Sequence, residues 1–139
     1  MKTVCVDASF ALAAVLPEDK RPEVRRIWSS WEDLGVEPVA PWLFAFETQA
    51  VLRRKVAARM LRLEEARLAW DNLLGLGVKL EHHERLWIEA WDLAERYARP
   101  TTYDAVYVAL ARLLSGELWT MDRTLITVMG KTESYLRTV

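Results

Sequence analysis

Short apolar runs alternate with stretches of helical periodicity along the whole chain, and that alternation leaves few folds open. Lys2–Val6 reads as a first strand, closed by Asp7, and Ser9–Val15 as a short helix before a polar turn from Pro17 to Arg21. Pro22–Leu34 reads as a helix with its proline in the permitted first turn and Gly35 as its stop. Glu37–Ala40 is a second strand ending at Pro41, followed by helices over Trp42–Arg59 and Leu63–Leu74, the latter stopped by Gly75 and Gly77. Val78–Glu81 is a third strand and Glu84–Tyr97 an amphipathic helix carrying Trp87, Ile88, Trp91, Leu93 and Ala94 near helical spacing. Pro100 breaks the chain before a helix over Tyr103–Ser115, which Gly116 ends. Leu118–Thr120 is a fourth strand, Arg123–Val128 a short helix and Ser134–Arg137 an edge strand. Such alternation predicts an α/β fold in three layers, with a central, mainly parallel sheet of four or five strands flanked by helices. Ligands of such sheets bind beyond the carboxyl ends of the strands, near a topological switch point.

No repeat, low-complexity segment or linker divides the chain, so residues 1–139 are expected to form a single domain with a real core. No apolar run approaches the roughly 20 residues a membrane span needs. The N-terminus shows no export signal. The lone Cys5 excludes an internal disulfide framework, and a reducing, cytoplasmic setting is the expectation. Net charge is −1, which does not advertise nucleic-acid binding. Yet Arg53, Arg54, Lys55, Arg59, Arg62 and Arg67 form a basic stretch, and neutralising a few acids would leave the remaining surface positive, which permits an RNA or DNA substrate.

Asp7, Glu47, Asp104 and Asp122 sit at the ends or edges of apolar elements. Burying an isolated carboxylate is costly unless it is neutralised, paired or bound to a metal. Each aspartate has a structural reading too. Asp7 and Asp122 suit the N-caps of the helices that follow them, and Thr101 with Asp104 would make a variant capping box. Glu47 resists that reading, because Phe44, Phe46, Val51 and Leu52 surround it in sequence, although pairing with an arginine would satisfy it. Helix N-termini also favour ligating carboxylates, so caps and ligands are compatible. Oxygen-only donors suit hard divalent ions such as Mg²⁺ and Mn²⁺. His82 and His83 are adjacent in a polar turn and read as solvated rather than as zinc ligands.

These motifs, in this order, resemble the PIN-domain ribonucleases, specifically the toxin subunits of VapBC-type toxin–antitoxin pairs, over essentially the whole chain. Val6-Asp7-Ala8-Ser9 matches the opening strand and its acid, and Glu47 with Leu52 the helical glutamate. Tyr103-Asp104-Ala105-Val106-Tyr107-Val108-Ala109-Leu110-Ala111 matches the most recognisable stretch, and Thr120-Met121-Asp122-Arg123 the last acidic motif. The resemblance implies a metal-dependent endoribonuclease, in which Asp7, Glu47, Asp104 and Asp122 hold Mg²⁺ or Mn²⁺ that activates water, with Ser9 and Thr120 lining the site. Many relatives carry asparagine where this chain has Ala50, and some an acid where it has Thr124. Both departures fall on the second metal position, so one tightly held ion is expected, with any second arriving with substrate. The resemblance also implies homodimers and inhibition by a VapB-type antitoxin, whose C-terminal segment packs along a groove. The other readings are a PIN nuclease of RNA processing without an antitoxin and a catalytically silent PIN scaffold.

Beyond the acids, Arg54 lies seven residues after Glu47 on the same helix face and is a candidate phosphate contact, as is Arg123 beside Asp122. Of the seven tryptophans, Trp42, Trp87 and Trp91 have apolar neighbours and are expected in the core. Trp28, Trp31 and Trp70, on more polar helices, are expected to line an interface.

Overall fold

A computed structural model of the chain describes residues 2–139. Its elements run β1 (Thr3–Val6), α1 (Ala8–Val15), α2 (Arg21–Leu34), β2 (Glu37–Ala40), α3 (Leu43–Ala57) and α4 (Leu63–Gly75). They continue with β3 (Lys79–Leu80), α5 (Leu86–Arg96), α6 (Tyr103–Leu113), β4 (Leu118–Trp119), α7 (Arg123–Met129) and β5 (Leu136–Arg137). The sheet order is β3-β2-β1-β4-β5 and every pairing is parallel. Helices cover both faces: α1 packs with α2, α3 and α4, while α5 packs on α6, which lies against β1 and β4. The fold is therefore the three-layer α/β arrangement the alternation predicts, with five strands.

Chain direction across the sheet reverses at β1, which pairs Cys5 with Val39 of β2 on one side and with Leu118 of β4 on the other. Crossovers leave β1 one way and arrive at β4 from the other, so the loops after these two strands part and open a crevice. Val4, Cys5 and Val6 are all buried, as a central parallel strand requires. The helices end by identifiable means. Gly35 takes a left-handed conformation (φ 67°) beyond α2. At the end of α6 Ser115 adopts the left-handed turn (φ 54°). Gly116 has a different role from the helix stop expected of it: a Cβ there would lie 3.0 Å from the Thr3 carbonyl oxygen, so glycine lets the chain pass close to β1. Helix α3 stops at Ala57, short of Arg59, which is itself left-handed (φ 58°).

Five of the six tryptophans given places reverse them, while Trp70 is half-buried against the core. Trp28 and Trp31 are 4% and 6% exposed, whereas Trp42, Trp87 and Trp91 are 63%, 79% and 65% exposed. On the polar α2, Val24, Trp28 and Trp31 recur at i, i+4 and i+7 and supply its apolar stripe. Trp28 and Trp31 meet each other and both meet Phe10 of α1, and Trp31 and Phe10 meet Trp119 of β4, with ring centroids 5.1–6.0 Å apart, and such pairs add about 0.5–1.5 kcal/mol each beyond burial. The Trp28 indole N–H donates to the Leu76 carbonyl at 3.3 Å. On α5 the buried face is Leu86, Ala90, Leu93 and Ala94; Trp87, Ile88 and Trp91 occupy the other side. Apolar neighbours in sequence were the wrong guide, because consecutive helical residues point to different faces. Helix α3 is likewise less buried than its sequence suggests: Phe44, Thr48 and Leu52 face inward while Phe46 is 70% exposed. Among the described residues no helix is long and apolar enough to cross a membrane.

Candidate active site

Beyond the carboxyl ends of β1 and β4 lies a cleft of about 350 Å³ whose wall includes Asp7, Ser9, Glu47, Asp104 and Asp122. The four acids come from four different stretches of chain. Asp7 follows β1, Glu47 sits in the second turn of α3, Asp104 in the first turn of α6, and Asp122 after β4. Three of them lie at helix N-termini, where amide dipoles favour negative charge.

Asp7 is the most enclosed, 8% exposed. Its Oδ1 accepts from the Ser9 hydroxyl at 2.7 Å and from the Phe10 amide at 3.0 Å, and its Oδ2 accepts from the Thr120 hydroxyl at 2.5 Å. The same two hydroxyl oxygens accept amide hydrogens from the β4–α7 turn: Met121 N–H donates to Ser9 at 2.9 Å and Asp122 N–H to Thr120 at 2.9 Å. Each hydroxyl has one hydrogen, already given to Asp7, so the 3.4 Å approach of Ser9 to Thr120 adds no bond. Two hydroxyls thus tie the loop after β1 to the loop after β4. Burial pushes the Asp7 carboxyl up to about 6, against the three hydrogen bonds that lower it, and the charge of Asp122 adds to the rise.

Asp7 and Asp122 both cap helices as expected, with the Asp122 side chain accepting from the Leu125 amide at 3.1 Å. Asp104 does not join a capping box with Thr101, for the N-cap of α6 is Thr102 with no side-chain bond. Asp104 instead meets the Arg99 guanidinium at 3.4 Å. Glu47 is half-buried, and burial raises its pKa, Asp104 adding to the rise and Arg54 opposing it. Facing it is the Tyr107 hydroxyl, which is buried and completes no hydrogen bond of good geometry among the described residues. Burial first, and then the Glu47 carboxylate, hold that phenol far above its ordinary range.

The expected basic residues fare differently. Arg54 is exposed and near enough to Glu47 to favour its ionised form, but it does not form the cleft wall. Arg123 points away and donates to the Val139 carbonyl at 3.3 Å. Lys55, Glu18 and Tyr107 line the cleft though they lie outside the expected set. Two carried a signal in the sequence: Lys55 stands eight residues after Glu47, and Tyr107 three after Asp104, both same-face spacings.

Among the described residues no three acidic, histidine or cysteine side chains converge closely enough to grip one ion as they stand. The reason is visible in their partners, since Asp104 leans to Arg99 and Asp122 to its own helix. The donor set nevertheless suits a hard divalent cation. Every donor is oxygen, Asp7 is buried, and the buried Tyr107 hydroxyl faces Glu47. Soft donors are elsewhere. Cys5 is buried beside the Tyr107 carbonyl, and burial pushes its thiol up, while His83 accepts from the Arg85 amide in the loop before α5.

The PIN domain family model matches residues 4–130. Over 130 residues, 90% of this chain and 92% of the relative, the sequence is 35% identical to Ribonuclease VapC3 of Pyrobaculum aerophilum.

Proposed function

The chain belongs to the PIN domain family, and we propose that it is a metal-dependent endoribonuclease, the toxin of a type II toxin–antitoxin pair. One observation carries the reading: four carboxylates from separate elements meet in one cleft at the switch point of the sheet. Likeness to a protein named a ribonuclease supports RNA as the substrate. The same reading takes residues 1–139 as one PIN domain, supported by a continuous core running from Val4 to Leu136.

Asp7, Glu47, Asp104 and Asp122 would hold Mg²⁺ or Mn²⁺, with Ser9 and Thr120 fixing Asp7. When bound, such an ion supplies Lewis-acid chemistry, acidifying water and offsetting charge on a phosphodiester. The chain's own groups do the rest. Ser9 and Thr120 keep both Asp7 oxygens in place by donating to them. The Glu47 carboxylate, its proton affinity raised by burial, takes the proton of the attacking water as the new P–O bond forms. The bond to the leaving oxygen breaks, and that oxygen takes a proton from solvent. Lys55 on the wall and Arg54 beside Glu47 contact flanking phosphates. Arg123 would do so only after releasing the Val139 carbonyl. Exposed Phe46, Met60, Leu68 and Leu74 on and around α3 and α4 offer an apolar surface for a VapB-type antitoxin, and exposed apolar side chains support a homodimer.

The test is cleavage of a mixed pool of structured RNAs by antitoxin-free protein in EDTA, Mg²⁺ or Mn²⁺, beside folded Asp7→Asn and Asp104→Asn variants. Metal-dependent cutting lost in both variants is expected. Metal-independent cutting unchanged by either would overturn the reading. No cutting and no metal binding by calorimetry would leave a silent scaffold.

A further inference from the structure

Three acids of the cleft are each held by donors of their own. Asp7 has Ser9, Phe10 and Thr120, Asp122 has the Leu125 amide, and Asp104 has Arg99. Glu47, the acid given the proton-transfer role, forms no ion pair among the described residues. Its chain neighbours on α3 offer it nothing: Phe46 is exposed, and the Thr48 hydroxyl is turned back onto the Phe44 and Ala45 carbonyls. A long side chain left to itself samples several rotamers, and holding it at one geometry costs entropy that a donor must offset.

Tyr107 faces it. This residue lines the cleft one turn after Asp104 on α6 and is 2% exposed. The other buried side chains of that helix are Ala105, Val108, Ala109, Leu110 and Ala111, none with a polar atom. Phenylalanine would fill the same space without burying a hydroxyl, which carries a desolvation penalty until it is bonded. The hydroxyl faces the Glu47 carboxylate, and the charges of Glu47 and Asp7 both reach it. Among the described residues it completes no hydrogen bond of good geometry. A phenol is protonated at neutral pH and donates to a carboxylate. A small turn of the Glu47 side chain closes that bond, since no ion pair ties it elsewhere.

We propose that Tyr107 is the positioning residue of Glu47: its hydroxyl donates to one carboxylate oxygen and leaves the other free for the proton of the attacking water. The inference rests on the ribonuclease reading above and adds what holds its base. The enclosed hydroxyl acts through Glu47 and not on the strand itself. Tyr107 thus does for Glu47 what Ser9 and Thr120 do for Asp7. One helix then serves the cleft twice, sending Asp104 from its first turn and the holder of Glu47 from its second.

The experiment has two readouts. In EDTA, the ultraviolet resonance Raman difference between wild type and Tyr107→Phe isolates this phenol from the other tyrosines. Its hydrogen-bond-sensitive doublet should be that of a donor to a carboxylate. The same difference taken in a Glu47→Gln background should shift toward that of a donor to a neutral acceptor. A doublet identical in both backgrounds overturns the proposal, whatever the protein does to RNA. The second readout is cleavage, with saturating Mn²⁺, of an RNA chosen from the mixed pool because wild type cuts it. Tyr107→Phe should lower kcat by about tenfold or more with KM unchanged. Tyr135→Phe, which removes a phenol hydroxyl bonded to Glu133 outside the cleft, should keep the wild-type kcat. Full kcat in Tyr107→Phe, or an equal loss in Tyr135→Phe, overturns the positioning role and leaves the ribonuclease reading intact. A rise in KM alone makes Tyr107 a substrate contact and overturns the proposal. Wild-type protein that neither cuts RNA nor binds Mn²⁺ overturns the ribonuclease reading and the proposal with it.

Discussion

Replacing Asp7 by asparagine should stabilise the metal-free protein at neutral pH while abolishing its chemistry. The carboxyl is nearly enclosed and titrates near 6 instead of its ordinary 3.8. At 1.36 kcal/mol for each tenfold change in proton affinity, that displacement costs the ionised fold about 3 kcal/mol. Asparagine removes the charge and keeps Oδ1 as acceptor for the Ser9 hydroxyl and the Phe10 amide. Its Nδ2 would meet the Thr120 oxygen, which already accepts the Asp122 amide. The Thr120 hydrogen must then find another partner, at a cost of about 1 kcal/mol. A net gain of about 2 kcal/mol at pH 7 follows.

The pH dependence separates charge from shape. The folded-state pKa lies above the unfolded one, so Asp7 imposes no penalty below about 3.8. Its cost grows as pH rises toward about 6, where the folded protein also loses the proton, and is constant above. Urea unfolding in EDTA should therefore find the variant ahead at pH 7 and level or behind at pH 4. A variant less stable than wild type by the same margin at both pH values would refute the reasoning. It would mean that the hydrogen bonds outweigh burial, and that Asp7 is a helix cap whose charge helps the fold.

Other outcomes follow from the same contacts. Mg²⁺ or Mn²⁺ should raise the melting temperature of wild type and leave Asp7→Asn nearly unmoved, as differential scanning fluorimetry would read. Thr120→Val removes the donor to Asp7 Oδ2 and the acceptor for the Asp122 amide; it should cost about 1–3 kcal/mol in urea unfolding and move the acidic limb of the activity profile to higher pH. Trp28→Ala should cost about 3–5 kcal/mol, whereas Trp87→Ala should fall within about 0.5 kcal/mol of wild type. Arg99→Gln breaks a partly exposed pair with Asp104, so stability should change by under about 1 kcal/mol, while calorimetry should find Mn²⁺ bound more tightly once the competing cation is gone.

The layered α/β architecture and the strand-end positions of Asp7 and Asp122 were legible because parallel strands buried on both faces leave short, nearly continuous apolar runs. Each acid was marked by interrupting or closing such a run. What escaped was the direction of side chains from helices. Trp87 and Trp91 share a helix with buried Leu86, Ala90 and Leu93, and only the phase of the buried face decides which side they take. Arg54 and Lys55 are consecutive, yet only Lys55 reaches the cleft wall. The Arg99–Asp104 pair was equally hidden. The two residues are five apart across Pro100 and a turn, where no periodicity brings side chains together, so tertiary geometry alone decides the contact.

The wiring of Asp7 and its environment pull in opposite directions, and that conflict is the strongest physical argument for a cation. Among the described residues three donors and no acceptor converge on its oxygens, an arrangement made for the ionised form, because a protonated carboxyl would need an acceptor of its own. Yet burial and the charge of Asp122 favour the protonated form, and the result is a titration near 6. Hydroxyls already committed to backbone amides cannot turn to relieve the carboxyl without breaking the link between the β1 and β4 loops. A protein selected for stability alone would resolve this by amide replacement or by an arginine. In this chain Arg99 pairs with Asp104, and the other acids line the same cleft as Asp7. A divalent ion held by Asp7, Glu47, Asp104 and Asp122 would meet these demands together, since its charge would favour the ionised Asp7 that the donors await and offset the repulsion between Asp7 and Asp122.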